Sequence, residues 1–131
     1  REALWREPPL RDLLDRARKA DVALVSAGDL GENATLLSQK LLTPGDFQSL
    51  RRAGAVGDAL CQFVDCQGHL VDHPVNSRVM AVPLQELRSI GKVAIAAGGA
   101  RKVKAIRGAL AATGASVLIT DEDAALGLLD E

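Results

Sequence analysis

Residues 93–106 read Val93-Ala-Ile-Ala-Ala-Gly98-Gly99-Ala-Arg-Lys102-Val-Lys-Ala-Ile106, an aliphatic run, two glycines and then apolar residues at helical spacing. The pattern predicts a buried strand, a tight turn and a helix, the unit from which parallel sheets are built. Gly98 and Gly99 let the backbone approach a ligand closely, and a helix start presents free N–H groups carrying about half a positive charge. With Lys102 on the first turn, the stretch has the outline of an anion cradle. It points to a small phosphorylated or carboxylated metabolite.

Working outward, Val103, Ile106, Ala109 and Leu110 continue the helix to Gly114, Val117-Leu-Ile119 is a further buried strand, and Thr120 to Asp123 cap a last helix carrying Ala124, Ala125, Leu128 and Leu129. The acids of that cap are accounted for by capping and the helix dipole. Upstream, Pro83 starts a helix bearing Leu84, Leu87 and Ile90 and closed by Gly91, and Arg78 to Val82 reads as a strand. Val56 to Val64, a turn Asp65 to Gly68 and a return His69 to Asp72 read as a hairpin. Thr43-Pro44-Gly45-Asp46 opens a helix on Phe47, Leu50 and Ala53. Pro8-Pro9 opens another on Leu10, Leu13, Leu14 and Ala17, followed by a short buried strand, Ala23-Leu-Val25. Its polar glycine loop, Ala27 to Gly31, lies at the carboxyl end of that strand, where ligands sit in open α/β sheets, and Asn33 to Leu37 begins a helix or lies across the strand ends. The expected fold is α/β, a mainly parallel sheet with flanking helices and an antiparallel hairpin insertion.

The 131 residues fit one domain, or part of one, and the first residue falls in the run-up to a helix, which suggests a fragment of a longer chain. Apolar residues are 47% and aromatics only 2%, so the core must be built from small aliphatic side chains. A net charge of −1 leaves no basic footprint for nucleic acid. No apolar run is long enough for a bilayer and no leader is recognisable, so a cytoplasmic protein is expected. Cys61 and Cys66, five residues apart, match neither a redox pair nor a zinc knuckle and read as reduced, half-buried thiols.

The glycine motifs exclude a Walker A loop and a dinucleotide fingerprint. Asp58 lies inside an apolar stretch, where a carboxylate needs partners that sugar hydroxyls would supply, unless alternation turns it to solvent. His69, Asp72 and His73 form a polar knot with Asn76 and Arg78, but acids and histidines beside proline more often bond the backbone, and no metal or cofactor is expected. Ser26 near Asp29, and Cys61 with His69 or His73, lack the framing residues of a nucleophile site.

Gly54-Ala-Val-Gly-Asp58, Phe63-Val-Asp65 with Gly68, Asp72-His-Pro-Val-Asn76-Ser-Arg78-Val, Ala97-Gly-Gly99 with Lys102 and Ala105-Ile106, and Leu118-Ile-Thr-Asp121 occur in order over residues 8 to 130. This set resembles the sugar-binding domain of SorC-type bacterial transcriptional regulators. The resemblance implies a fold related to ribose phosphate isomerase and glucosamine phosphate deaminase, an upstream helix-turn-helix that this chain does not contain, and a first half of the effector domain, with a phosphate-binding loop, also upstream. It implies a sugar or sugar-phosphate effector, a homo-oligomer (dimer or tetramer) and no catalysis; an isomerase or deaminase of sugar phosphates is the alternative. Asp58 falls on the family's acid, Lys102 on its effector-contacting lysine and Thr35 on the polar residue after the glycine loop. Gly28, Leu60, Gly98 and Gly99 complete the expected binding set. The chain departs from similar sequences at Ser26-Ala27, at Cys61, where glycine is common, and at Val64, where phenylalanine is frequent. If the chain stands alone, an open sheet edge and exposed apolar surface are expected.

Overall fold

The structure, a computed structural model, describes residues 1–130. Val22–Val25 (β1), Lys92–Ala96 (β5) and Val117–Ile119 (β6) form a parallel sheet in the order β1-β5-β6. Ala27–Gly28 (β2), Gly57–Ala59 (β3) and Gln62–Val64 (β4) form a separate antiparallel sheet in the order β2-β3-β4. Helices Glu2–Trp5 (α1) and Pro8–Arg18 (α2) precede the first strand, and Thr35–Ser38 (α3) and Pro44–Arg52 (α4) lie between β2 and β3. Pro74–Arg78 (α5), Val103–Thr113 (α6) and Glu122–Leu129 (α7) complete the fold.

Helix α6 is the wall that the two sheets share. Its buried face is Val103, Ala105, Ile106, Gly108, Ala109 and Ala112, and small residues meet small residues across it. A β-carbon on Gly57 would lie 2.3 Å from that of Ala105, and one on Gly68 would lie 2.4 Å from the amide nitrogen of Ala112. This close approach explains why a core with 2% aromatics suffices: the layers come together on alanine and glycine instead of being held apart by rings. On the far side of the antiparallel sheet, a second cluster gathers Leu30, Ala34, Phe47, Leu50, Ala55, Phe63, Val71 and Val75. The two phenylalanines meet there edge to face with centroids 6.3 Å apart.

Strong local signals reappear as written. Thr43 and Asp46 close a reciprocal capping box on α4. Asp121 caps α7 through the Ala124 amide, and Gly114 ends α6 at φ +65°.

Four expectations need correction. The run Val56 to Val64 is not one strand: it turns back at Leu60 and Cys61, both at positive φ (+50° and +61°), so the hairpin is β3-β4 and the return His69 to Asp72 survives only as a bridge from Leu70 to Val64. Glycine, frequent at position 61 in similar sequences, is what that backbone prefers. Second, Arg78 to Val82 is no strand. Pro74 starts the short α5 over its first part, and the Gln62 amide holds the Val82 carbonyl at 2.9 Å, while the Pro83 helix is a 3-10 turn over Leu84–Ser89. Third, both cysteines are free and exposed, because each sits in a turn.

The fourth concerns burial. The strands at 23–25 and 117–119, expected to be buried, are half open: among the described residues Val93 and Ile95 pack beneath α6, whereas Leu24 (68% exposed), Val22 (57%) and Ile119 (57%) line an uncovered face. Parallel sheets are normally covered on both faces. The exposed apolar surface and open β1 edge expected from the sequence are therefore present among the described residues.

Asn76 closes the edge of the antiparallel sheet. Its Oδ1 accepts the Phe63 N–H at 2.7 Å, and its Nδ2 donates to the carbonyls of Phe63 and Val71, each at 2.9 Å, so the side chain stands where a strand would otherwise pair. Asn76→Ala is expected to destabilise the fold by about 2–4 kcal/mol, since the Phe63 N–H and the Val71 carbonyl lose their partner, while the Phe63 carbonyl keeps the Val71 N–H. Equilibrium urea unfolding checks it, and a loss under about 1 kcal/mol would show that water replaces the amide.

Candidate functional site

Alternation along β3 decides where Asp58 points. Gly57 and Ala59 face α6, so Asp58 faces the opposite side, together with its register partners Gly28 and Phe63. A β-carbon on Gly28 would lie 2.2 Å from Asp58 Oδ1, so only glycine lets β2 pass the carboxylate. The other oxygen, Oδ2, accepts the Cys61 N–H at 3.0 Å, which ties Asp58 to the left-handed turn.

A cleft of about 210 Å³ opens in front of this carboxylate, lined by Gly28, Asp29, Asn33, Thr35, Asp58, Arg101 and Lys102, with Ala34 and Leu36 behind. It is smaller than the roughly 300–1,000 Å³ of drug-sized pockets and suits a small polar metabolite. Lys102 Nζ reaches across from the start of α6 to donate to the Ala27 carbonyl at 3.1 Å, which leaves protons of the ammonium for a ligand. Asp29 Oδ2 accepts the Gly31 N–H at 3.0 Å and lies 3.9 Å from the Arg101 guanidinium. Burial pushes the Asp58 carboxyl up to about 6, against the pull of the Cys61 amide and the Lys102 charge, and the neighbouring Asp29 adds to the rise.

Of the residues expected from the sequence, Gly28, Thr35, Asp58 and Lys102 come together here from four separated segments. Leu60, Gly98 and Gly99 do not line the cleft. Leu60 sits at the tip of the β3-β4 turn and is 38% exposed. The glycine pair is engaged by the chain itself: a β-carbon on Gly98 would lie 2.5 Å from Asp121 Oδ2, and the amides of Ala124 and Gly99 hold the Asp121 carboxyl below its ordinary range. The predicted anion cradle thus already faces a carboxylate of α7. Asp29, Asn33 and Arg101 are cleft residues absent from the expected set. Asp29 and Asn33 belong to the segment after β1 that its place at the carboxyl end of the strand puts near a site, and Arg101 stands next to Lys102 in the strand-turn-helix stretch, where adjacency could have found it.

The polar knot has a structural explanation. His73 Nδ1 accepts the Val75 N–H at 3.2 Å, so its Nε2 carries the proton toward Ser49 Oγ, 2.8 Å away, and the serine donates to the Asp46 carbonyl. Ser49 accepts a hydrogen bond from this histidine and is not a nucleophile activated by it. His69 faces Asp65 instead, and no group of three or more metal-ligating side chains assembles among the described residues. Nor, among those residues, is any helix long and apolar enough to cross a membrane.

Residues 1–130 match the family model described as "Putative sugar-binding domain". The chain belongs to that sugar-binding domain family. Among curated relatives, it is 32% identical over 119 residues to the deoxyribonucleoside regulator of Bacillus subtilis, covering 91% of this chain and 38% of that protein. It is 34% identical over 131 residues to the transcriptional regulator LsrR of Klebsiella pneumoniae, covering 98% and 41%. Among solved structures, the sugar-binding domain of a transcriptional repressor from Vibrio fischeri superposes with a TM-score of 0.86 at 33% identity, covering 98% of this chain and 52% of that one. A DeoR family transcriptional regulator from Listeria monocytogenes superposes at 0.89 with 26% identity, covering 96% and 51%. The chain spans about two fifths of the curated relatives and half of the solved chains. These relatives are transcriptional regulators, not enzymes, and the mixed α/β fold of a parallel sheet beside a small antiparallel one is theirs.

Proposed function

We propose that this sugar-binding domain is the effector-sensing part of a bacterial transcriptional regulator, and that it takes a sugar or sugar phosphate in the cleft between Asp58 and Lys102. The observation that carries the reading is the convergence of Gly28, Thr35, Asp58 and Lys102 from four segments on one polar cleft. Asp58 accepts from sugar hydroxyls, Lys102 donates to a ring or hydroxyl oxygen, and Thr35 Oγ1 and Asn33 supply neutral partners at the mouth. The sensing role is supported by the regulators among its relatives. In this reading the chain is part of a larger cytoplasmic protein that forms a dimer or tetramer, and the effector acts by binding two quaternary states unequally, which shifts DNA binding by a helix-turn-helix outside this chain. The coupling needs no chemistry.

Calorimetric titration against a panel of sugars and their mono- and bisphosphates tests it. Saturable binding without turnover is expected. Lys102→Ala should lower the affinity about 10- to 100-fold, the worth of a charge-assisted hydrogen bond, with an unchanged circular dichroism spectrum. Equal affinity in a folded variant removes Lys102 from the site, and turnover of a sugar phosphate makes the protein an enzyme.

A further inference from the structure

Both acids of the cleft tie one carboxylate oxygen to the chain and keep the other open. Asp58 Oδ2 accepts the Cys61 N–H at 3.0 Å, and Asp29 Oδ2 accepts the Gly31 N–H at 3.0 Å while facing the Arg101 guanidinium 3.9 Å away. Among the described residues no donor reaches Oδ1 of either acid, and neither Oδ1 is sealed from solvent. The Asp29 side chain is only 11% exposed, so its free oxygen opens on the cleft and not on the outer surface. The two acids are also neighbours. Asp58 stands opposite Gly28 in the pairing of β2 with β3, its Oδ1 lies 2.2 Å from where a Gly28 β-carbon would be, and Asp29 is the next residue.

Two open acceptors side by side select a ligand by its hydrogen-bond pattern. An ionised carboxylate only accepts, so a ligand that meets both must donate twice from neighbouring atoms. A cation would also satisfy them, but Lys102 and Arg101 already balance the two charges in the same cleft and would repel it. A neutral vicinal diol donates one hydroxyl to each. Resting on the reading of the cleft as a sugar site, we propose that Asp29 is its specificity-determining residue: Asp29 Oδ1 and Asp58 Oδ1 accept from the two hydroxyls of one vicinal diol, and the site rejects analogues that lack either. An analogue with one hydroxyl missing would shut an acceptor oxygen away from water with no donor, a loss that makes sites built on hydroxyl contacts far more selective than apolar pockets. The Gly31 amide holds the Asp29 carboxylate from behind, at the oxygen that does not read the diol.

The test is calorimetric titration of the full chain and its Asp29→Asn and Asp29→Ala variants with D-ribose and D-glucose, each beside its 2-deoxy and 3-deoxy analogues. Wild type should bind a parent sugar at least about tenfold more tightly than each analogue lacking a hydroxyl of the diol, one charge-assisted hydrogen bond's worth. In Asp29→Ala one of the two preferences should fall to near parity, while the other, read by Asp58, persists. Asparagine keeps an oxygen for the Gly31 amide and turns an NH2 group to the cleft, so Asp29→Asn should shrink the same preference several-fold and leave the other. A role confined to the loop would weaken parent and analogues by one common factor. Wild type that binds a parent sugar and both its analogues equally, or preferences untouched in both Asp29 variants, overturns the assignment and leaves the sugar site standing. Wild type that binds none of these sugars overturns the sugar reading of the cleft and this assignment with it.

Discussion

Replacing Asp58 with asparagine is expected to make the fold more stable above pH 6 and the cleft a poorer binder. The carboxyl is raised from its ordinary 3.8 to about 6, chiefly by burial, so between those values the folded chain holds a proton that the unfolded chain has released. Stability from this group is full below about pH 4 and is lost as the pH rises through 6, the reverse of an ordinary salt-bridged acid. The difference corresponds to about 3 kcal/mol. Asparagine keeps an oxygen for the Cys61 amide and carries no charge, so Asp58→Asn is expected to gain about 1–3 kcal/mol near pH 7.5. It should also lose about tenfold or more in sugar affinity, since the strong acceptor is gone. Unfolding curves of both proteins from pH 3.5 to 8 check this. Asp46, Asp65 and Asp121, whose carboxyls lie below their ordinary range, act in the opposite sense in both proteins. The difference between the two curves isolates position 58, and parallel curves would mean that water already reaches the carboxylate.

Gly57→Ala should be among the most damaging single changes for its size. The added carbon would lie 2.3 Å from the Ala105 β-carbon, 2.8 Å from the Ala105 α-carbon and 2.6 Å from the Gly28 carbonyl oxygen. Two of the three neighbours are backbone, one on α6 and one on β2, so no rotamer relieves the clash. A loss of about 3 kcal/mol or more is expected, at the upper end of overpacking, with disturbed ligand binding because the next residue is Asp58. Gly45→Ala on α4 is the contrast: its β-carbon would find only Thr43 Oγ1, 3.6 Å away, and should cost little. Thermal unfolding of the two variants decides the matter, and equal melting temperatures would show that α6 can back away from the sheet. Ala105→Gly should recover part of the loss in Gly57→Ala.

These cases also mark what the sequence could disclose. Elements with chemical punctuation were readable: Thr43, Pro44 and Asp46 for α4, the glycine pair and Gly114 around α6, Asp121 for α7. The β3-β4 turn was not, because leucine and cysteine carry its two left-handed residues and nothing in their chemistry announces it. The stretch after His73 misled for a different reason. Its apolar run satisfies strand propensity, while the cap on the Val75 amide and the Gln62 grip on the Val82 carbonyl are tertiary. That Asp58 and Lys102 share the candidate cleft agrees with the sequence, since a carboxylate in an apolar run and a lysine at a helix start are locally conspicuous. Asp29 and Asn33 fall in the segment after β1 that the strand-end rule places near a site, though nothing singles them out within it, while Arg101 looks like an ordinary surface residue until the chain brings it to the cleft. Gly98 and Gly99 lie outside this cleft, and a carboxylate from the cap of α7, more than twenty residues on, lies against their turn.

The cleft lies on the seam between the two clusters, and this has a dynamic consequence. Arg101 and Lys102 adjoin Val103 of the cluster around α6, Asp58 lies between the two, and Asp29 and Thr35 adjoin Leu30 and Ala34 of the cluster around Phe47 and Phe63. A molecule in the cleft grips both bodies at once. The smaller body can therefore open as a unit only after the ligand leaves. Amide hydrogen exchange in α4 and α5 should slow with added sugar as the unoccupied fraction of the cleft falls, and exchange deep in β5, which needs global unfolding, should slow by the same factor.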